Sequence, residues 1–407
     1  VSGWLVVLLA AAGHAEWWVI AVNRLHAFPI HAPKLRRFRM LHDIAVPAFP
    51  LLLVAVAGFG EQGLLNGGSP AQQPATIQLL LACAVSGCIP LLLGIIRWHA
   101  SGRRAFLAAD ARTLLNLRDT HPNAQTTPQA SPLQTVMGLP RTLARIWPLN
   151  EFVHLELNRK SICIPATGPT QNSTASQKSP LRSLRLLHFS DLHFTGTPGM
   201  AYYREFVRLA QQHPADAIFF TGDLIDDPTL LQEAIEILRP LTQTAPCWFI
   251  LGNHDWRYDH QFIRHALEDS GWKCAVGNGL LTQLNGIPVF IAGSERPWMG
   301  SPPPDARNLA ADLKILLCHT PDGQRTARSH GYQLMLSGHT HGGQVVLPLI
   351  GPVYSPSFTG VRFASGLFTW PNFTLHVSRG VGSKDPLRWN CPPELTWLDV
   401  TFQPPAP

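Results

Sequence analysis

The chain has 407 residues, more than one ordinary core accommodates, so two or more regions are expected. Charged residues make up 14%, against roughly 25% in a typical soluble domain, while Trp (12), Phe (19) and Pro (36) are plentiful. With a net charge of only +6, this balance argues against a basic nucleic-acid face and for a soluble domain joined to a membrane-embedded one.

Three apolar stretches come first, at residues 1–22, 44–59 and 75–98. A bilayer core needs about 20 apolar residues, so the third reads as a span. The second is short: a tilted span, a re-entrant segment or an interfacial helix. The first is a span or a signal peptide, because "AAGHA" resembles a small-residue cleavage site. The chain opens on Val, so an initiator Met or further upstream sequence is expected. Arg24, Lys34, Arg36, Arg37 and Arg39 follow the first stretch, and Arg97, Arg103, Arg104, Arg112 and Arg118 follow the third. Residues 60–74 hold Glu61 and no Lys or Arg. The positive-inside rule places 23–43 and everything after 97 in the cytoplasm, with 60–74 outside. Residues 99–150 read as a linker, with 99–120 basic and amphipathic enough to lie on the membrane surface and 121–140 a polar loop. Seven cysteines without a C-x-x-C pair suggest reduced thiols rather than a disulfide framework or structural zinc.

The soluble domain is expected over 151–402, with a flexible link at 167–180. Short apolar runs end in polar turns: "LRLLHFSDLHF", "DAIFFTGDLID", "CWFILGNHDW", "LKILLCHTPDG" and "YQLMLSGHTHGG". Amphipathic stretches near 201–212, 229–240 and 260–269 fall between several of them. An Asn285-Gly286 turn joins a hairpin, and "FTLHVSRG" and "ELTWLDVTF" read as later strands. The pattern predicts an α/β domain with two packed sheets.

Each of the five runs ends in metal-capable donors: Asp191 and His193, then Asp223, then Asn253 beside His254 and Asp255, then His319, then His339 and His341. In extended chain, residues i and i+2 share a face, which predicts His339 and His341 side by side, about 7 Å apart at Cα. Taken singly, each residue has an ordinary structural reading as a cap, a turn residue or a core histidine. Five strand ends bearing such residues together point to metal. Oxygen and nitrogen donors without thiolate suit Mn, Fe, Zn or Co. Seven donors exceed what one catalytic ion takes and suffice for two ions sharing a carboxylate, the ~3.5–4 Å pair that serves phosphoryl displacement.

The ordered blocks "SDLHF … GDLID … GNHDW … CHTPD … GHTHGGQ" resemble the calcineurin-like metallophosphoesterase family. The trailing "HVSRGVGSKDPLRWNCPPELTWL" is similar to its bacterial YkuE-like, membrane-associated branch. The resemblance covers about residues 150–402. It implies a four-layer α/β/β/α sandwich, here preceded by membrane helices. It further implies that Asp191, His193 and His341 hold one ion, that Asn253, His319 and His339 hold the other, and that Asp223 bridges them. His254 would be the general acid, with Asp255 the acidic residue beside it, and a metal-activated hydroxide would attack a phosphodiester, phosphomonoester or pyrophosphate. Arg257 and Arg296 are candidates for holding the phosphoryl group. The loop 294–308 reads as irregular and close to the site.

A tether to the membrane suits a lipid-linked substrate, and a UDP-2,3-diacylglucosamine pyrophosphatase of lipid A synthesis is the specific alternative. A non-catalytic metal-binding adaptor is disfavoured by the intact His254 and donor set. A pore is disfavoured by apolar stretches that carry only Glu16 and, at the edge of the second, Asp43 as acidic residues. No G-x-x-x-x-G-K-[ST] loop signals ATP-driven work. Oligomeric state is not legible.

Overall fold

The computed structural model describes residues 3–102, 111–116, 135–136, 139–140, 149–165 and 182–403. Helices α1 (Gly3–His26), α2 (Ala32–Ala57), α3 (Ala75–Ser86) and α4 (Cys88–Arg97) make up the N-terminal region. Three helices, with α3 and α4 counted as one over Ala75–Ala100, are long and apolar enough to cross a membrane. They leave large apolar side chains such as Leu8, Leu51, Val56 and Leu79 exposed, which water disfavours and lipid accommodates. The second stretch is not short. The basic residues from Ala32 wind into the same helix as the apolar ones, because a Pro in the first turn starts a helix without loss of a hydrogen bond.

The rest is α/β. Apart from a two-residue pair, Thr135–Val136 with Leu139–Pro140, the strands in chain order are β1 (Ala111–Asn116), β2 (His154–Pro165), β3 (Ser183–Phe189), β4 (Ala217–Phe220), β5 (Cys247–Phe249) and β6 (Lys273–Cys274). Next come β7 (Leu280–Leu284), β8 (Ile287–Ser294), β9 (Leu313–Cys318) and β10 (Leu334–Ser337). The last are β11 (Val346–Leu347), β12 (Gly351–Pro352), β13 (Gly366–Trp370), β14 (Phe373–Val377) and β15 (Glu394–Gln403). One sheet runs β1-β2-β15-β3-β4-β5-β6, the other β13-β14-β10-β9-β8-β7. Asn285 and Gly286 turn between β7 and β8 with φ of 49° and 71°, as the hairpin reading requires.

The sheets pack face to face through Leu186, Phe219, Trp248, Ile315, Leu317 and Leu398. Each such side chain, fully buried, contributes about 1.5–3 kcal/mol over exposure. Helices α5 (Met200–Gln212), α6 (Leu231–Leu238) and α7 (His260–Asp269) cover the outer face of the first sheet through Phe206, Ile235 and Leu267. The second sheet carries α8 (Gln324–Ser329), with Ala327 and Tyr332 in its outer cluster. The four layers are those implied by the resemblance.

The stretch expected to lie on the membrane as an amphipathic segment contains β1, which pairs antiparallel with β2 from Ala111 opposite Arg159 to Asn116 opposite His154. Pairing with the distant β2 places residues 111–116 in the first sheet. The link at 167–180, Arg103, Arg104, Arg118 and most of 121–140 lie outside the described residues. The helical region docks on the α/β unit through the α1–α2 connection: Phe28 meets Phe358 edge-on at 4.7 Å and His31 stacks on Trp256 at 5.4 Å.

Candidate metal centre

Strands β3, β4 and β5 are mutually parallel, as are β8, β9, β10 and β14. The donor-bearing segments all lie at the C-terminal ends of such strands, the edge where α/β sheets build sites. Cross-strand backbone bonds stitch the loops together: Asp191 N–H donates to Gly222 O (2.9 Å), His193 N–H to Asp223 O (3.0 Å) and Gly338 N–H to His319 O (2.9 Å). Asp191, His193, Asp223, His339 and His341 all adopt left-handed backbone, with φ between 46° and 71°. Such a conformation costs on the order of 1–3 kcal/mol at each non-Gly position and marks places where function outweighs local preference.

This backbone changes the H-x-H geometry. His339 and His341 are not neighbours on one extended face. His341 gathers with Asp191 and His193, whereas His339 gathers with Asp223 and His319, the ligand atoms of each group lying within 4.8 Å of one another. In the first group His341 Nε2 is 3.5 Å from Asp191 Oδ1 and 3.0 Å from His193 Nε2. In the second, His319 Nε2 is 3.2 Å from both Asp223 Oδ2 and Asn253 Oδ1. Asp223 stands between the groups, with Oδ2 also 3.5 Å from His193 Nε2. His339 Nε2 is buried without a hydrogen-bond partner. An orphaned imidazole nitrogen facing carboxylates fits a cation, and the O/N donor set fits a borderline one.

A third group comprises His193, Asp226 and His254. Asp226 Oδ2 lies 2.8 Å from His193 Nδ1, and its Oδ1 lies 2.5 Å from His254 Nδ1. One carboxylate thereby orients two rings. The backbone N–H of His254 donates to Asp223 Oδ1 (2.8 Å), and Arg257 Nη1 lies 3.2 Å from His254 Nδ1.

Charge follows the carboxylates. Burial works against protonating His193, yet Asp226, Asp191 and Asp223 raise it to about 10. Burial likewise opposes His319, yet Asp223 raises it to about 9. Burial drives His254 down to about 4 and His341 to about 3. The floor therefore favours positive charge at two separate places.

Two residues differ from their expected roles. Asp255, grouped with the catalytic residues by resemblance, is fully buried. Its oxygens accept the N–H groups of Gly252, Asp223, Leu224 and Ile225 at 2.9–3.3 Å, so it braces the two loops. Arg296 is exposed and is not among the residues lining the cavity over the site, whereas Arg257 is. Its neighbour Glu295 is buried instead, accepting from Leu251 N–H (2.7 Å) and Arg264 (2.7 Å). The loop's contribution to the site is Trp298, whose ring lies 4.9 Å from His339.

Two contributors escaped the sequence reading. Asp226 was the last letter of "GDLID". Arg388, in the trailing segment, is buried, lies 3.0 Å from His341 Nδ1, and donates to the carbonyls of Arg379 and Gly382. Glycines admit this crowding. A Cβ on Gly338 would sit 1.9 Å from Ser190 Oγ and 2.2 Å from Asp191 Oδ2. Gly338→Ala is expected to cost about 1–3 kcal/mol by overpacking. It should also displace Asp191; a thermal melt together with metal analysis checks both, and unchanged metal content would contradict the displacement.

Residues 184–343 match the family model for calcineurin-like phosphoesterases. Phosphodiesterase YaeI of Escherichia coli is 28% identical over 221 residues, covering 53% of this chain and 82% of YaeI. The uncharacterized metallophosphoesterase YkuE of Bacillus subtilis is 30% identical over 223 residues, covering 52% of this chain and 77% of YkuE. UDP-2,3-diacylglucosamine pyrophosphatase LpxG of Chlamydia trachomatis is 22% identical over 286 residues, covering 55% of this chain and 85% of LpxG. Similarity at that level to YkuE, along with five donor blocks in family order converging on one cleft, makes this chain a member of the calcineurin-like phosphoesterase family and a metal-dependent phosphoric ester hydrolase.

Proposed function

We propose that the protein is a membrane-anchored phosphoesterase with a pair of metal ions, acting on phosphodiester, phosphomonoester or pyrophosphate bonds at the cytoplasmic face of a bacterial inner membrane. The observation that carries this reading is the division of the donors into two groups with Asp223 between them. Asp191, His193 and His341 would hold one ion, Asn253, His319 and His339 the other, and Asp223 both. When bound, two such cations supply Lewis acidity to the phosphoryl oxygens and to the attacking water.

The chain's own groups do the rest. Asp226 holds the Nδ1 sides of His193 and His254 and leaves both Nε2 atoms for the site. Asp226 opposes the burial that depresses His254, so the ring can take up a second proton at Nε2 and pass it to the departing oxygen. Arg257, beside His254, offers guanidinium donors to a phosphoryl oxygen. Asp255 and Arg388 keep the loops and the His341 ring in place.

Similarity to LpxG favours a second, narrower reading, a nucleotide–lipid pyrophosphatase. The full-length chain, purified in detergent and loaded with Mn²⁺, should hydrolyse bis-p-nitrophenyl phosphate and hold two ions. Hydrolysis with no bound metal would sink the reading. Adding p-nitrophenyl phosphate and a UDP-linked lipid to the same assay separates monoesterase, diesterase and pyrophosphatase.

The orientation is supported by contact as well as charge. The α1–α2 connection and the α/β unit touch, so both belong on one side of a membrane, the side bearing the Lys/Arg excess. A cysteine placed at Ser179 in a cysteine-free background should resist a membrane-impermeant thiol reagent in intact cells. Labelling there would reverse the topology.

A further inference from the structure

The cavity over the metal centre, ≈ 760 Å³, has two unlike walls. One is the floor of histidines and carboxylates. The other is the first half of α2, through Leu35, Arg36, Arg39, Met40 and Ile44. A second cavity of ≈ 410 Å³ shares His26, Arg39, Asp43 and His341 with the first and continues past Val22, Val46 and Pro47. Arg39 and Pro47 are eight residues apart, about 12 Å along a helix. The combined space therefore runs from the metal floor, past basic side chains, into the cleft between α1 and α2 where α2 turns apolar.

This roof is held in place. Ser355 N–H donates to Asn23 Oδ1 (3.0 Å), Tyr354 Oη lies 2.7 Å from His42 Nε2, and Arg39 lies 3.6 Å from Asp385. Trp256, stacked under His31, belongs to the same short turn as Arg257. The segment carrying the proposed acid is thereby packed against the α1–α2 connection.

Charge on the walls is unbalanced. Away from the floor the cavity is lined by four basic side chains, Arg36, Arg39, Arg257 and Lys384, against two acidic ones, Asp43 and Asp385. The surplus of two (four minus two) is more than the single negative charge of a phosphodiester requires, and that charge would already face the metal floor. A second anionic group close to the scissile one matches it.

We infer that α2 is part of the substrate site, and that the substrate is a lipid-linked pyrophosphate drawn from the bilayer between α1 and α2. This rests on the phosphoesterase reading above. The phosphorus under attack faces the metal floor, Arg36 and Arg39 hold the second phosphate, and the lipid chain lies along Val22, Val46 and Pro47. Hydrolysis forms one P–O bond from water and breaks the bridging P–O bond. It leaves two phosphate monoesters, with one water proton on the new phosphate and the other released to the leaving phosphate or solvent.

The test uses the full chain, Mn²⁺-loaded in detergent micelles, with three probes: CDP-diacylglycerol, the acyl-free CDP-glycerol, and bis-p-nitrophenyl phosphate. The wild type should favour CDP-diacylglycerol over CDP-glycerol in KM. In the double variant Arg36→Gln/Arg39→Gln, kcat/KM for CDP-diacylglycerol relative to bis-p-nitrophenyl phosphate should fall about tenfold or more, mainly through KM, as loss of charge-assisted bonds requires. Arg36→Lys/Arg39→Lys should recover most of that ratio, which a merely folding-defective surface would not. Metal content equal to wild type in both variants excludes a collapsed site. An unmoved ratio, or equal KM for the two CDP compounds, overturns the inference and leaves the phosphoesterase reading standing. Absence of turnover on all three probes by metal-loaded wild type overturns both.

Discussion

Asp223→Asn is expected to empty both halves of the metal centre at once. The substitution keeps the side chain's shape and its N–H contact from His254, but it removes the one negative charge that faces His193 at 3.5 Å and His319 at 3.2 Å. A carboxylate can serve two cations, whereas a neutral amide binds each far more weakly. Elemental analysis should show loss from both groups, and kcat/KM should drop by more than the roughly 10–100-fold typical of an outer-shell partner. His339→Ala provides the contrast, since its ring belongs to the Asp223–His319 group alone and should leave the other group loaded. An Asp223→Asn protein that keeps full metal and activity would remove Asp223 from its bridging position.

His254→Ala is expected to lower kcat by roughly 10²–10⁴-fold, the usual span for a general acid, with metal content unchanged. The structure gives two grounds. His254 adopts helical backbone at the start of a short 3-10 turn, apart from the left-handed donor positions, and its Nδ1 is taken by Asp226. The defect should shrink for p-nitrophenyl esters, whose leaving group departs without a proton. Asp226→Asn separates orientation from chemistry. Because Asp226 also holds His193, this variant should lose both rate and metal affinity, the latter by about 10–100-fold. If His254→Ala lost metal, or were equally impaired whatever the leaving group, His254 would be a ligand or a structural residue.

Both expectations depend on features with different visibility in the sequence. The alternation of apolar runs and turn residues was enough for an α/β domain, because a buried parallel strand must be apolar throughout and must end where the chain turns back. Asp191, His193, Asp223, Asn253, His319, His339 and His341 were legible for the same reason: a polar residue directly after a buried strand has few purposes, and five such ends are hard to assign to capping. The apolar N-terminal stretches were legible from length and composition alone.

Backbone conformation was not legible. An i, i+2 pair shares a face only in extended chain, and left-handed φ at His339 and His341 sends the two rings to different groups. Nor could spacing separate Asp255 from Asp226. Both follow a glycine-containing turn, but four backbone N–H groups converge on Asp255, whereas two imidazoles converge on Asp226. All of those partners except Gly252 come from loops far apart in the chain. Arg388 and the basic half of α2 were hidden in the same way, one lying unassigned in the trailing segment and the other reading as a membrane flank. By itself the sequence determined which donors exist and that they end buried strands, since burial and turn chemistry are local. Tertiary structure alone decided which donors meet, which carboxylate is consumed in bracing loops, and which helix roofs the cavity, because sheet order and packing between distant segments set those distances.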